Sequence, residues 1–146
     1  MNAEKTKVGI IGLGKLGTII ALKLVQAGFS VTAFTRTLKP AGAPLARDLN
    51  HLVESSQAII LCVKPKDARE ILGELNKTIG DRQKIVVSVM AGITIENLEK
   101  SVPSAKIVRA NPNICAKAGK SITALAFGKN AGEVEKNSVK QIFSTI

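Results

Sequence analysis

Cysteine and aromatic residues are scarce in this sequence, and long apolar runs are absent. The 146 residues include two cysteines, four phenylalanines and no tryptophan or tyrosine. Cys62 and Cys115 lie far apart without further partners, which excludes a disulfide framework and a cysteine-based zinc site. No apolar run reaches the length of about 18 residues that a transmembrane helix needs, and the N-terminus lacks a signal-peptide pattern. We therefore expect a cytoplasmic protein without a bound metal.

Acidic residues are also scarce relative to basic ones. The chain has 21 Lys and Arg against 11 Asp and Glu, a net charge of +10. Such an excess attracts anionic partners, namely nucleic acid, an acidic membrane or a phosphorylated small molecule. The basic residues are scattered, and few aromatic side chains are available to stack on bases. We therefore predict a small-molecule partner, no nucleic acid and no membrane.

The period of the apolar residues changes repeatedly along the chain. Short apolar or β-branched runs, typical of buried strands, alternate with segments that have helical spacing. Strands that alternate with helices indicate a parallel sheet covered on both faces. We predict one domain over residues 1–146, an α/β Rossmann-type doubly wound fold with a mostly parallel sheet of about six strands and helices on both faces. The predicted strands are 7–11, 30–34, 58–63, 84–89, 106–109 and 121–127, and the predicted helices are 15–26, 65–78, 94–100 and 133–144.

A glycine motif joins the first predicted strand to the first helix. The residues Gly12-Leu13-Gly14-Lys15-Leu16-Gly17 match G-x-G-x-x-G in the strand-to-helix context that makes this pattern specific. Gly12 would permit the tight turn, Gly14 would let a pyrophosphate approach the main chain, and Gly17 would let the helix pack closely on the strand. The N–H groups and the dipole at the helix start attract phosphate. The motif predicts a dinucleotide site.

The residues after the second predicted strand bear on which dinucleotide binds. Sites that prefer NAD hold the ribose 2′-hydroxyl with Asp or Glu at this point. This chain has Thr35, Arg36 and Thr37, with no carboxylate among the adjacent positions. A guanidinium group and hydroxyl groups suit a 2′-phosphate. We therefore predict that NADP(H) is preferred over NAD(H).

Two later strand ends are expected at the same crevice. Val63, Lys64 and Pro65 follow the third predicted strand, and Ala91 and Gly92 follow the fourth. The carboxyl ends of parallel strands meet at one edge of the sheet. These residues are compatible both with contact to a nicotinamide ribose and with ordinary turns.

Four segments together resemble the N-terminal, cofactor-binding domain of the pyrroline-5-carboxylate reductase family. They are residues 8–17, 62–65, 87–98 and 107–113, with Gly119 following. The last two are the more specific. The four segments, in this order and at this spacing, extend over nearly the whole chain. The resemblance implies an oxidoreductase that transfers hydride from NADPH to the C=N carbon of Δ1-pyrroline-5-carboxylate, a cyclic imino acid, in proline biosynthesis.

The resemblance also implies roles for individual residues. Asn50 would contact the adenosine side of the cofactor, although an asparagine there is equally compatible with a cap or turn. Asn113, in a loop, would lie near the nicotinamide and the substrate. The cofactor-binding residues are then Gly12, Leu13, Gly14, Lys15, Leu16, Gly17, Thr35, Arg36, Thr37, Asn50, Val63, Lys64, Pro65, Ala91, Gly92 and Asn113, and no catalytic residue is assigned.

The chain also departs from the family pattern. Asn111 replaces the usual methionine before Pro112, and Ile114 and Cys115 replace a threonine and a proline after Asn113. The threonine hydroxyl that the resemblance implies as a substrate contact is missing, and the sequence leaves open whether that contact is lost. The stretch between Arg36 and Asn50 is short and contains two prolines, so we expect a reduced second helix.

Family members continue into a helical domain that forms the homo-oligomer and supplies most of the substrate pocket. This chain would be either a truncated part of such a protein or a stand-alone cofactor domain, and we expect it to bind NADP(H) with little turnover of its own. The alternatives are another NADP-dependent oxidoreductase (imine, β-hydroxyacid or deazaflavin-linked) and a non-catalytic NADP-binding module.

The remaining reactive side chains have no partner pattern in the sequence. We interpret His51, in a predicted helix before the third strand, as a surface or packing residue and not as a general acid. Cys62 is expected to be buried and inert, whereas Cys115 is expected in a loop.

Overall fold

The apolar runs and helical segments of the sequence form six strands and five helices among the residues that the structure describes. The computed structural model covers residues 4–36, 42–115 and 120–146, without the side chains of residues 114, 115 and 120–122. The strands are β1 Val8–Ile11, β2 Val31–Phe34, β3 Ala58–Leu61, β4 Ile85–Ser88, β5 Lys106–Cys115 and β6 Lys120–Phe127. The helices are α1 Lys15–Gln26, α2 Leu49–Glu54, α3 Ala68–Ile79, α4 Ile95–Ser101 and α5 Glu133–Ser144, with a 3-10 turn at Pro65–Asp67.

The strands form one sheet in the order β2-β1-β3-β4-β5-β6. All neighbouring pairs are parallel except β5 and β6, which are antiparallel. The chain runs from β1 to β2 on one side and then crosses to β3 on the other side of β1. This confirms the predicted mostly parallel, doubly wound sheet of six strands.

Both faces of the sheet are covered by helices. On one face, Ile20 and Leu24 of α1 and Ile142 of α5 pack against alternate residues of β1, β3 and β4. On the other face, α2, α3 and α4 pack against the intervening residues of the same strands. All residues of β1, β3 and β4 are therefore buried, which explains their continuous apolar sequence. None of the helices in the described ranges is long and apolar enough to cross a bilayer.

Strand β5 is longer than the sequence predicts. The prediction ended the strand at Arg109 and placed Asn113 and Cys115 in a loop, whereas the structure continues the strand through Cys115. Beyond the Ser88–Arg109 pair β4 ends, and from Ala110 onward β5 pairs with β6 alone. A two-stranded antiparallel ribbon leaves every second N–H without a strand partner, so Pro112 fits within it. The loop prediction was wrong because the apolar run ends at Arg109, whereas pairing with β6 continues the strand through polar residues to Cys115.

Glu135, in the first turn of α5, ties this helix to the sheet. Its carboxylate accepts hydrogen bonds from Lys106 Nζ and, at 3.2 Å, from the backbone N–H of Gly132. The side chain is only 10% exposed. The bond from Lys106, backbone hydrogen bonds and the lysine charge lower the pKa of this carboxyl group below its ordinary value of 4.5.

We expect Glu135→Gln to lower the free energy of unfolding by about 1 kcal/mol at neutral pH, because the amide loses the charge-assisted bond to Lys106. A carboxyl group whose pKa is lower in the folded state stabilises fully above pH 4.5 and loses this effect as the pH falls through the folded-state value. Urea unfolding curves of the variant and the wild type should therefore converge in acid. A difference that stays constant with pH would contradict this, and Glu133→Gln, at a side chain 85% exposed, is the control.

Candidate cofactor site

A pocket of about 400 Å³ opens at the carboxyl ends of β1, β2 and β3. The strand order reverses between β1 and β3, and ligands of open parallel sheets bind at such a reversal. The predicted strand-end residues Thr35, Arg36, Val63 and Lys64 meet here with the glycine turn. The lining residues are Ile11, Gly12, Leu13, Gly14, Phe34, Thr35, Arg36, Cys62, Val63, Lys64, Lys66, Asp67 and Ile71.

Two glycines of the turn are required by the fold itself. Gly12 has a φ of +97°, and a Cβ there would lie 2.9 Å from the carbonyl carbon and oxygen of Cys62. A Cβ at Gly17 would lie 2.0 Å from the carbonyl oxygen of Gly12, much closer than any van der Waals contact. Glycine at these two positions lets the chain turn sharply and lets α1 begin directly against that turn.

Gly14 is different, because the fold does not require a glycine there. Its φ of −74° and ψ of −162° are open to any residue. A Cβ at Gly14 would meet no described atom within 4 Å, although the residue lines the pocket. The missing side chain therefore leaves the main chain accessible from the pocket, which is the space that a pyrophosphate needs.

The start of α1 beside Gly14 suits an anion. The first N–H groups of a helix have no carbonyl partner within it, and they carry partial positive charge. In the described chain no side chain caps α1 at Gly14, and its first turn contains no acidic residue. The N–H groups of Lys15, Leu16 and Gly17 belong to this turn. The geometry of the turn fits a phosphate group there.

Arg36 lies at the end of β2 and lines the pocket, as predicted. Its Nη2 atom donates to Glu70 Oε1 at 3.0 Å and to Glu74 Oε1 at 3.3 Å, both on α3. The hydrogen bond with Glu70 and the charges of both carboxylates raise the pKa of Arg36. The sequence shows no carboxylate adjacent to Arg36, but the fold brings these two to it.

The turn after β3 contributes residues that the sequence prediction missed. Lys66 and Asp67 line the pocket beside the predicted Lys64, and Pro65 begins the 3-10 turn. A count of charged residues just after each strand would have found Lys66. Cys62 also faces the pocket and is half-buried just after β3, so the prediction that it is buried within the strand was wrong. Removal from water raises the pKa of its thiol to about 12. The thiol is therefore neutral at physiological pH, which agrees with the prediction of an inert cysteine.

Several predicted site residues are not among the described lining residues of the pocket. Asn50 lies on the exposed face of α2, where Nδ2 donates to Glu54 Oε1 at 3.0 Å. Ala91 and Gly92 form an exposed turn after β4, where Gly92 has a φ of +77°. Asn113 is exposed on β5. Thr37 and Gly119, with the side chains of Ile114 and Cys115, lie outside the described residues.

His51 has a local role, as predicted. Its backbone N–H donates to Asp48 Oδ1 at 2.7 Å, and its Nδ1 accepts from the N–H of Arg47 at 3.0 Å. These bonds close the start of α2 and engage one of the two ring nitrogens. Over residues 4–36, 42–115 and 120–146, no three His, Cys, Asp or Glu side chains lie close enough together to hold a metal ion.

A second cavity, of about 460 Å³, lies at the amino ends of the strands, opposite the glycine turn. Its three basic side chains already have bonds within the chain. Arg82 donates to the carbonyl oxygens at the end of α3, Lys84 Nζ donates to Ser56 O at 2.7 Å, and Lys106 pairs with Glu135. The pocket at the glycine turn is the better candidate for a functional site, because the open main chain at Gly14 adjoins the start of α1 there.

Comparison with known proteins finds a family whose sequence pattern includes the glycine turn. A family model described as NADP oxidoreductase, coenzyme F420-dependent, matches residues 7–92. That range includes the glycine turn, Arg36 and the turn after β3.

Curated relatives extend the match over the rest of the chain. A pyrroline-5-carboxylate reductase of Aquifex aeolicus is 32% identical over 93% of this chain and 53% of its own length. A pyrroline-5-carboxylate reductase of Methanosarcina acetivorans is 29% identical over 98% of this chain and 57% of its own length. The chain thus spans about half the length of the curated relatives it matches.

A solved structure shows the same fold. The pyrroline carboxylate reductase of Plasmodium falciparum, with NADP bound, superimposes with a TM-score of 0.88 at 24% identity. The superposition covers 99% of this chain and 56% of the other.

Proposed function

We propose that this chain, which belongs to the family described as coenzyme F420-dependent NADP oxidoreductase, binds NADP(H) in the pocket at the glycine turn. We propose further that it is the cofactor-binding part of a pyrroline-5-carboxylate reductase. The relatives with that name match nearly the whole chain, which supports this reaction among those of the family.

The observation that carries the proposal is the contrast among the three glycines. The fold explains Gly12 and Gly17 by close contacts, but it leaves the position beside Gly14 open to the pocket. A turn that served only to connect β1 and α1 would need two glycines. The third is explained by a ligand that approaches the main chain.

The protein's own groups bind and orient the cofactor in this proposal. The N–H groups at the start of α1 would hold the pyrophosphate, and Arg36 would hold the 2′-phosphate. When bound, the reduced nicotinamide supplies the hydride that reduces the C=N bond of the cyclic imino acid. The turn residues Ala91 and Gly92, together with Asn113, are proposed on the nicotinamide side.

Titration with NADPH tests the binding step directly. The chain has no tryptophan and no tyrosine, so the fluorescence of bound NADPH can be followed against a low protein background. We expect saturable binding of NADPH at micromolar to millimolar concentration. Absence of binding over that range would overturn the proposal.

We expect Arg36→Ala to weaken NADPH binding about tenfold and to leave NADH binding nearly unchanged, because only NADPH has a 2′-phosphate. Parallel fluorescence titrations with the two coenzymes measure the ratio of their dissociation constants. The control is Lys100→Ala, which removes another exposed cation that has an ion pair, at 3.3 Å with Glu96 on α4. Equal losses for both coenzymes would contradict a role in cofactor choice.

A second candidate reaction is favoured by the family description, which names coenzyme F420. In that reaction the hydride would pass between NADP(H) and a deazaflavin and not to an imine. Because little turnover is expected from this chain, loss of NADPH absorbance is followed over a long incubation at high protein concentration, after addition of either Δ1-pyrroline-5-carboxylate or the oxidised deazaflavin. Consumption with the cyclic imino acid supports the reductase, and consumption with the deazaflavin alone supports the second candidate.

A further inference from the structure

We infer that Glu70 and Glu74 are specificity-determining residues that limit the preference for NADP(H) by occupying the guanidinium of Arg36. The inference rests on the proposed function and concerns the end of the same pocket that would receive the 2′-phosphate. Neither carboxylate could be predicted from the residues at the end of β2, since both belong to α3.

The hydrogen bonds to Arg36 converge on one nitrogen atom. Glu70 Oε1 lies 3.0 Å and Glu74 Oε1 3.3 Å from the same Nη2. Nη2 carries two hydrogens, so both can be used by these carboxylates. A guanidinium can grip a phosphate with two parallel bonds through Nε and Nη2 or through Nη1 and Nη2. Both arrangements need Nη2, so a bidentate 2′-phosphate must displace a carboxylate.

The position of α3 makes this competition part of the pocket. Glu70 and Glu74 lie one helical turn apart, so both side chains can reach the same partner. Ile71, between them in sequence, lines the pocket, as do Lys66 and Asp67 just before the helix. The charge of Asp67 also contributes to the raised pKa of Arg36. A phosphate that reaches Arg36 therefore approaches three carboxylates, in a pocket that Lys64 and Lys66 also line.

The exposure of the three side chains limits the size of the effect. The side chain of Arg36 is 54% exposed, that of Glu70 63% and that of Glu74 48%. Exposed ion pairs are weak and screened by water, so the phosphate can displace them. The carboxylates should therefore reduce the affinity for NADPH without preventing its binding. NADH, which has a hydroxyl group at the 2′ position, does not need Nη2 and should be little affected.

The test is the double variant Glu70→Gln/Glu74→Gln, which keeps side-chain size and removes both charges. We expect the ratio of the NADH to the NADPH dissociation constant to rise about three- to tenfold. The change should come from tighter NADPH binding, with NADH affinity within about twofold of wild type. Fluorescence titrations of both coenzymes at one fixed ionic strength measure it.

A charge-matched control separates this effect from the general charge of the protein. Asp81→Asn/Glu133→Gln also removes two exposed acidic groups, both near the amino ends of the strands and away from the pocket. Its coenzyme ratio should equal that of wild type. In an Arg36→Ala background the Glu70→Gln/Glu74→Gln effect should disappear, because the carboxylates act through Arg36.

The outcomes distinguish the inference from the proposed function. Binding of neither coenzyme overturns the proposed function and the inference with it. Binding of both with a ratio unchanged by the glutamine substitutions overturns the inference alone. A lower ratio in the double variant would also overturn it, because that result means that the carboxylates hold Arg36 in place for the phosphate.

Discussion

A Gly14→Val variant should bind NADPH about a hundredfold more weakly than the wild type while remaining folded. The valine side chain would fill the space through which a pyrophosphate reaches the N–H groups of α1. No described atom lies within 4 Å of a Cβ at this position, and the backbone angles suit any residue. The free energy of unfolding should therefore fall by no more than about 1 kcal/mol, mainly from the poorer N-cap.

Two measurements on the same protein check this prediction. Urea unfolding gives the stability, and NADPH fluorescence gives the dissociation constant. Gly14→Ala should show an intermediate loss of affinity, because its side chain is smaller. Wild-type affinity in the valine variant would mean that the open space beside Gly14 does not serve the cofactor.

Gly17→Ala should have the opposite profile, with its main effect on folding. The added Cβ would lie 2.0 Å from the carbonyl oxygen of Gly12. Because both groups belong to the main chain, α1 must move away from β1, and the packing of Ile20 and Leu24 beneath it would suffer. We expect a loss of about 3 kcal/mol or more in the free energy of unfolding.

The control for this variant is Gly73→Ala in α3. A Cβ at Gly73 meets no described atom within 4 Å, and the residue is exposed. Alanine in place of a helix-interior glycine should raise the stability by about 0.5–1 kcal/mol. The two alanine variants should thus differ in sign, as measured by thermal or urea unfolding. A Gly17→Ala protein as stable as wild type would contradict the close approach of α1 to the turn.

The regular elements followed from local sequence where one local signal was sufficient. The apolar period predicts α1 and α5 with the first and last residues that the structure shows. The predicted start of α4 at Thr94 is its N-cap in the structure, where the hydroxyl oxygen accepts from the N–H of Asn97 at 3.1 Å. The six-residue α2 likewise agrees with the reduced second helix expected from the short preceding segment.

Local signals were not sufficient where pairing with the next strand extended a strand. The prediction ended β5 at Arg109, but β6 pairs with β5 on both sides of Pro112 and extends the strand to Cys115. The register that places Asn113 opposite Ile122 is set between two strands that are neighbours in the sequence. Such pairing depends on contacts that a local pattern does not contain.

The glycine turn also shows what the sequence predicts and what only the structure adds. In the sequence, one motif predicts the roles of all three glycines. The structure explains Gly12 and Gly17 by contacts within the protein and shows open space beside Gly14. The contact at Gly12 depends on where Cys62 lies, which the parallel pairing of β1 with β3 decides, and the contact at Gly17 is with the turn itself.

The sequence by itself determined the doubly wound α/β fold, the glycine turn at the first strand and the absence of a carboxylate next to Arg36 in the chain, because these follow from period, glycine spacing and residue order. Only the tertiary structure decided what surrounds Arg36. The packing of α3 against the sheet brings Glu70 and Glu74, more than thirty positions later, to the same nitrogen atom. Electrostatic interactions depend on distance in space and not on distance along the chain, so the local charge at the candidate 2′-phosphate position became visible only in the fold.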